Sequence, residues 1–243
     1  KVGLLCCGYF EFWRMYPFTE KIIRDNAARV VAQLSAFKEF ELVYPGFVDC
    51  YDAADEAGRA FRDAHVDLLI INETTYLMDF MTVHVKRLVD ETPVLMLALQ
   101  FGGATIPDDI SYPLMLADCG ILGHTQLCGA FAKAGWAYDV VVGLADDPAV
   151  YQRVAEHAKL VGLVKRLKTL KVGAYGHPFR GMYDLEYDKT KLQGRIGPET
   201  IYIEDRNLQA MIDSATEDEV NTVAAEITRT YRIEDVSSQT VHQ

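Results

Sequence analysis

Short apolar runs alternate with stretches of helical periodicity along the chain, and this alternation constrains the fold more than any other feature. Strands are predicted at residues 2–7, 40–43, 68–71, 94–98, 121–123 and 139–142. Between the first two, residues 19–37 place apolar side chains at helical spacing, with Thr19 as N-cap. Further helices are predicted at 52–65, 75–90 and 144–168. The pattern is typical of a parallel sheet covered by helices on both faces, so it predicts a Rossmann-like (flavodoxin-like) α/β domain over residues 1–168.

A second set of elements begins at residue 169. Strands are predicted at 170–176 and 199–204, and helices at 184–194, 207–214 and 217–230. Two strands with a few helices cannot bury enough apolar surface for an independent domain. Residues 169–243 are therefore expected to be the beginning of a second α/β domain, whose remainder is removed, disordered or supplied by another chain.

Charge and cysteine content exclude several classes of protein. The formal net charge of -11 argues against a nucleic-acid partner or an anionic membrane surface. No apolar run is long enough to span a bilayer, so no membrane partner is expected. The five cysteines lack zinc-ligand spacing and are expected to be reduced thiols of a cytoplasmic protein, with Cys6 and Cys7 in a buried strand.

The segment after the first strand, "CCGYFEFWRMYP", lacks the glycines of a dinucleotide-binding loop. We interpret residues 9–17 as a loop at the carboxyl end of that strand, where open α/β sheets place ligands. Glu11, Trp13 and Arg14 combine a carboxylate, a flat ring and a guanidinium, a mixture suited to binding a polyol. The residue types equally fit a loop that packs on a neighbouring subunit.

Uncharged hydrogen-bonding groups follow other predicted strands. Gln100 follows the fourth strand, and His124 and Gln126 lie in "GHTQLCG", interpreted as a loop after the fifth. Amide and imidazole groups suit hydroxyl ligands. The acidic clusters are interpreted as helix caps or solvated helix starts, and no catalytic triad or metal site is predicted from these residues.

Three longer stretches resemble the L-arabinose isomerase and L-fucose isomerase family, and the arabinose branch more closely. They are "PVLMLALQF", "VVVGLADDPAVYQRVAEHAKL" and "LKVGAYGHPFRGMYDLEYDKTKLQGRIG", in the family's order. The resemblance implies the N-terminal domain and the start of the central domain of an aldose–ketose isomerase, an intramolecular oxidoreductase. It also implies that the catalytic residues and the ligands of a divalent metal, usually Mn²⁺, lie beyond this chain. No catalytic or metal residue is then expected here, and the chain alone is expected to be inactive.

The resemblance also implies a homo-oligomer, a trimer or hexamer, in which this domain covers the active site of a neighbouring subunit. By position, Phe10, Glu11, Trp13, Gln100 and Met182 match residues that contact the sugar across that interface. With Arg14, His124 and Gln126 they form the expected substrate-binding set.

The segment "GHTQLCG" departs from the arabinose pattern. Thr125 or Gln126 and Cys128 stand where that branch has Gln and His, with His124 displaced. The first loop departs as well, and both departures indicate a different sugar, deoxy or otherwise modified. A cluster of exposed aromatics, Phe10, Phe12, Trp13, Tyr16 and Phe18, is expected to be buried against a partner subunit. The alternative function is a non-catalytic sugar-binding or regulatory module.

Overall fold

The computed structural model describes residues 1–105, 107–234, 237 and 240. It divides into two compact units, Lys1–Lys165 and Arg166–Gln243. The first unit contains a parallel sheet of β1 (Val2–Cys7), β2 (Leu42–Val43), β3 (Leu68–Glu73), β4 (Val94–Gln100) and β5 (Asp139–Leu144). Its order, β2-β1-β3-β4-β5, is the flavodoxin-like order, so the predicted fold class is confirmed.

Helices cover both faces of this sheet. They are α1 (Phe10–Met15), α2 (Phe18–Ser35), α3 (Tyr51–Ala64), α4 (Phe80–Leu88), α5 (Tyr112–Leu116), α6 (Gly120–Ala134) and α7 (Pro148–Leu167). Residues of α2 and α7 share a core with one face of the strands, and residues of α3, α4 and α6 share a core with the other. The central strands are therefore apolar on both faces, which explains why their sequences read as continuous runs.

The core between α2 and the sheet shows how helical spacing of apolar residues leads to buried packing. In α2, the buried side chains Ile23, Ala27, Val30 and Leu34 repeat at helical spacing and form one stripe. Each six-residue strand beside it, β1 and β3, is buried throughout. Cys6 and Cys7 lie in β1 as buried free thiols, as predicted.

Three expectations about local structure are wrong. Residues 121–123 are not a strand, because they lie inside α6, and "GHTQLCG" is accordingly helix and not loop. A short apolar run such as this has no periodicity that separates strand from helix. Residues 9–17 are also not simply a loop, because α1 occupies Phe10–Met15.

The aromatic cluster after β1 is also less exposed than expected. Only Phe18 is exposed, whereas Phe10, Phe12, Trp13 and Tyr16 are half-buried. The helical turn of α1 brings Phe10 and Phe12 onto the Tyr9 ring and Trp13 onto Phe47.

The second unit has a two-stranded parallel sheet of β6 (Lys171–Tyr175) and β7 (Glu199–Ile203). A 3-10 helix (Tyr183–Leu185) and α8 (Lys189–Arg195) replace the single helix predicted at 184–194, because Asp188 starts a new helix by accepting a hydrogen bond from the Lys191 N–H at 2.9 Å. Helices α9 (Asp205–Ser214) and α10 (Glu217–Thr230) follow β7, close to the predicted bounds.

Candidate functional site

The carboxyl edge of the first sheet has a topological switch point between β1 and β3. These strands are neighbours, but the chain leaving β1 goes to the α2 face and the chain leaving β3 goes to the α4 face. Open α/β sheets place ligands in the crevice that this divergence creates. Helix α1 follows β1 at this edge, and the N-terminus of α6 packs on the end of β3.

Helix α1 carries four of the predicted site residues, Phe10, Glu11, Trp13 and Arg14. Glu11 and Arg14 form an ion pair with each other at 2.7 Å, and both side chains are substantially exposed. The Trp13 ring lies 6.4 Å from that of Phe47, and the Arg24 guanidinium lies 5.7 Å from the Trp13 ring centre. One face of the indole is thus held by protein contacts, which orients Trp13 at this edge.

Gln100 ends β4 and takes part in a network that sequence reasoning missed. Its side-chain amide donates to the Asp118 carboxylate at 2.7 Å, and the Phe101 and Gly102 main-chain N–H groups donate to the same carboxylate at 2.7 Å each. Asp118 therefore fixes both the Gln100 side chain and the turn after β4. The signal available in the sequence was an acidic residue just before a helical segment, which is a common but unspecific pattern.

A cavity of about 290 Å³ lies beside this network. Gln100 and Asp118 line it on the polar side, and Ile110, Met115 and Leu122 supply apolar walls. A small number of fixed polar groups on an apolar wall is typical of small-molecule sites. The cavity can receive a ligand with hydroxyl groups facing Gln100 and a carbon face toward the helices.

Two glycines allow α6 to approach the end of β3 closely. A Cβ at Gly120 would clash with the Glu73 carbonyl oxygen, and a Cβ at Gly123 would clash with the Glu73 carboxyl group. His124, on the same side of the helix, is 2% exposed. Its Nδ1 and Nε2 lie 2.9 and 3.1 Å from the carbonyl oxygens of Gly120 and Ile71.

Burial lowers the pKa of His124, although the hydrogen bonds to these carbonyl oxygens oppose that shift. In this arrangement His124 links α6 to β3 and presents no exposed ring to the edge. Its predicted contact with substrate stays a prediction.

Glu73, the last residue of β3, is a buried acid that sequence reasoning did not single out. It is 0% exposed, and neither carboxyl oxygen has a hydrogen-bond partner among the described residues. Burial raises the pKa of Glu73 well above its usual range, and the charge of Asp79 adds to this effect. The environment therefore favours the neutral acid.

Gln126 lies apart from this group within the first unit, and Met182 belongs to the second unit. Gln126 is on the exposed side of α6, where it accepts a hydrogen bond from the Tyr76 hydroxyl at 2.7 Å and donates to Asp79 at 2.9 Å. Met182 is exposed just before the 3-10 helix. The first unit thus brings α1, Gln100 and the start of α6 to one edge.

The described residues do not fit a metal centre. No three His, Cys, Asp or Glu side chains among them converge as ligands of one ion. Separately, none of the helices that the structure describes is both long and apolar enough to cross a membrane.

Several curated relatives of this chain are L-arabinose isomerases. No protein-family model matches the chain. L-arabinose isomerase of Yersinia pestis bv. Antiqua (strain Nepal516) is 26% identical over 230 residues, which cover 90% of this chain and 44% of the relative. L-arabinose isomerases of Yersinia pseudotuberculosis serotype O:1b (strain IP 31758) and Pectobacterium carotovorum subsp. carotovorum (strain PC1) are each 24% identical, over 225 and 224 residues, with the same coverage.

The chain therefore spans less than half the length of these curated relatives. The similar region covers nine tenths of the chain itself. This agrees with the resemblance carried by the three sequence stretches quoted above. The chain is related to the N-terminal part of the L-arabinose isomerases.

Proposed function

We propose that this chain is the N-terminal portion of a metal-dependent aldose–ketose isomerase that acts on a sugar related to L-arabinose or L-fucose. The observation that carries the proposal is the similarity to L-arabinose isomerases over 90% of the chain. The Gln100 and Asp118 network beside a cavity, at the ligand-binding edge of the fold, supports it.

The reaction would move a hydrogen between C1 and C2 of an open-chain sugar. As the resemblance to L-arabinose isomerases implies, the ligands of Mn²⁺ and the catalytic groups would lie in parts of the protein outside this chain. The chain alone would then be inactive. Its contribution would be to bind and orient the sugar.

The site residues would contact the sugar from a neighbouring subunit of a homo-oligomer, a trimer or hexamer in the cytoplasm. Phe10, Glu11, Trp13 and Arg14 would act from α1, and Gln100 from β4. Gln126 and Met182 would add contacts from α6 and the second unit, and His124 would act by holding α6 in place. Exposed apolar side chains near the carboxyl edge, among them Met15, Phe18, Tyr112 and Leu122, support burial against another subunit.

The test is an isomerase assay of the protein expressed from the full reading frame that contains this sequence. With Mn²⁺ present, we expect conversion of at least one aldose among pentoses, hexoses and deoxysugars to its ketose, followed by NMR. Sugar binding without conversion of any of them would favour a non-catalytic binding module and contradict the proposal.

A further inference from the structure

A second cavity, of about 410 Å³, opens at the amino edge of the first sheet. It lies where β4 and β5 begin, between the end of α4 and the segment that joins α6 to β5. Lys86, Thr92, Pro93, Trp136 and Tyr138 are among its lining residues. This is the edge opposite to Gln100 and α1, so the cavity is separate from the candidate sugar site.

Lys86 is the unusual group in this cavity. The residue is only 5% exposed, and its amine lies 5.8 Å from the centre of the Trp136 ring. Its main-chain carbonyl accepts a hydrogen bond from the Val89 N–H, but among the described residues its amine has no hydrogen bond or ion pair. Burial lowers the pKa of Lys86, although the charges of Asp90 and Glu91 oppose the shift. Most of the Lys86 side chain is buried, but its amine reaches the cavity and has no direct ion pair there, so a carboxylate that entered the cavity could form one with it.

The surroundings select the kind of anion. Asp90, Glu91 and Asp139 are exposed and also line the cavity, so they would repel a multiply charged ligand such as phosphate more strongly than a singly charged one. Trp136 and Tyr138 are half-buried and, with Pro93, offer flat apolar walls. The volume lies in the range of small-molecule sites.

We propose that this cavity binds a small monocarboxylate, whose carboxylate pairs with the Lys86 amine and whose planar or apolar body lies against Trp136. A neutral sugar has no group that would use the Lys86 charge. The inference therefore stands independently of the proposed isomerase function.

The test is isothermal titration calorimetry of the purified protein with benzoate, its neutral counterpart benzamide, and inorganic phosphate. We expect saturable binding of one benzoate, with benzamide and phosphate at least tenfold weaker. Lys86→Met should weaken benzoate binding at least tenfold, and Lys86→Arg should retain most of it because the charge is kept. Lys133→Met, which removes an exposed charge from α6, is the matched control and should bind benzoate as the unaltered protein does.

A second measurement keeps Lys86 in place and locates the ligand. The chain has two tryptophans, so Trp13→Phe leaves Trp136 as the only indole, and benzoate should change its fluorescence with the same dissociation constant. Equal binding of benzoate and benzamide, unchanged affinity in a folded Lys86→Met protein, preferred binding of phosphate, or saturable binding without a Trp136 signal would each overturn the proposal.

Discussion

The strands of the two sheets are similarly apolar in sequence, but their side chains are buried to very different extents. In the first unit, β1 and β3 are buried at every residue because helices cover both faces of a five-stranded sheet. In the second unit, β6 and β7 pair in a parallel two-stranded sheet whose apolar residues, including Val172, Ile201 and Tyr202, are exposed. The fate of an apolar strand thus depends on how many strands and helices surround it, which its own sequence does not specify.

The largest expected difference between the two units is in how much an apolar strand side chain contributes to the free energy of unfolding. Leu97 in β4 is 0% exposed and Ile201 in β7 is 40% exposed. We expect Leu97→Ala to lower the free energy of unfolding of the first unit by about 2–5 kcal/mol, because it leaves a cavity in a packed core. Ile201→Ala should cost about 1 kcal/mol or less, because part of its side chain already contacts water.

Hydrogen exchange of the amides in β4 and β7, measured at a series of urea concentrations, would report the stability of the two units separately. Equal losses for the two variants would show that the burial difference between the sheets does not govern their stability.

Two individual acids, Glu73 in the first unit and Glu219 in the second, should change stability with pH in opposite directions. For Glu73 the folded pKa is raised, so above about pH 4.5 the unfolded chain releases a proton that the folded protein keeps. The free energy of unfolding should then fall by about 1.4 kcal/mol per pH unit until pH reaches the folded pKa. Glu73→Gln has no proton to lose, so its stability relative to the unaltered protein should rise with pH over this window.

Glu219 gives the contrast in the second unit. Its pKa is lowered by hydrogen bonds from the Thr216 main chain and side chain, so its stabilising effect is lost as pH falls through the folded pKa. Urea unfolding of Glu73→Gln and Glu219→Gln tests both signs, provided that the series extends well below about pH 4.5 for Glu219 and well above it for Glu73. A constant difference between Glu73→Gln and the unaltered protein would show that Glu73 ionises in the folded state as easily as in the unfolded chain.

Sequence patterns were sufficient for the parts of the fold that depend on local periodicity. The strands β1, β3, β4 and β5 were predicted from apolar runs, and α2 from its spacing. The run at 121–123 was assigned wrongly because its helix is defined by packing on β3, through Gly120 and Gly123, and not by its own periodicity. The partnership of Gln100 with Asp118 could not be predicted, since it depends on which residues a non-local chain path brings together.

Two aromatic residues near the carboxyl edge differ in their contacts: the Trp13 ring lies against Phe47 and Arg24, whereas Phe18 is exposed. We expect Trp13 to contact the sugar beyond C4, away from the C1–C2 unit that reacts. Trp13→Ala should then lower kcat/KM about tenfold to a hundredfold, mainly through KM, because the contact is equal in ground and transition states. A lost stacking contact of about 1–3 kcal/mol corresponds to this range. Phe18→Ala removes a nearby exposed ring that is proposed to lie at the subunit interface without contacting the sugar, so it is the control for loss of the interface alone.

Steady-state kinetics on two sugars that differ only beyond C4 would check the role of Trp13. Unequal effects on the two sugars are expected. An equal loss on both, accompanied by dissociation of the oligomer, would instead assign Trp13 to the subunit interface.

The smallest expected effect concerns the N-terminal cap that stabilises α10 in the second unit. At the start of α10, the Thr216 hydroxyl accepts the Glu219 N–H at 3.3 Å, and the Glu219 carboxylate accepts the Thr216 N–H at 2.9 Å, a reciprocal capping box. Because most of α10 is exposed, this local cap should matter more there than in the buried helices of the first unit. Thr216→Ala should destabilise α10 by about 1 kcal/mol, whereas Thr216→Ser should leave its stability nearly unchanged, because serine is at least as good an N-cap as threonine.

Hydrogen exchange of the amides in the first two turns of α10 would measure this change directly, with the amides of α3 as an internal reference. Faster exchange confined to α10 in Thr216→Ala, and not in Thr216→Ser, is expected because serine keeps the hydroxyl acceptor and loses only the methyl group. Equal acceleration in both variants would mean that the Thr216 methyl group, through packing, holds the helix start. In that case the second unit would depend on buried apolar contacts as the first unit does, and the contrast between them would be one of degree.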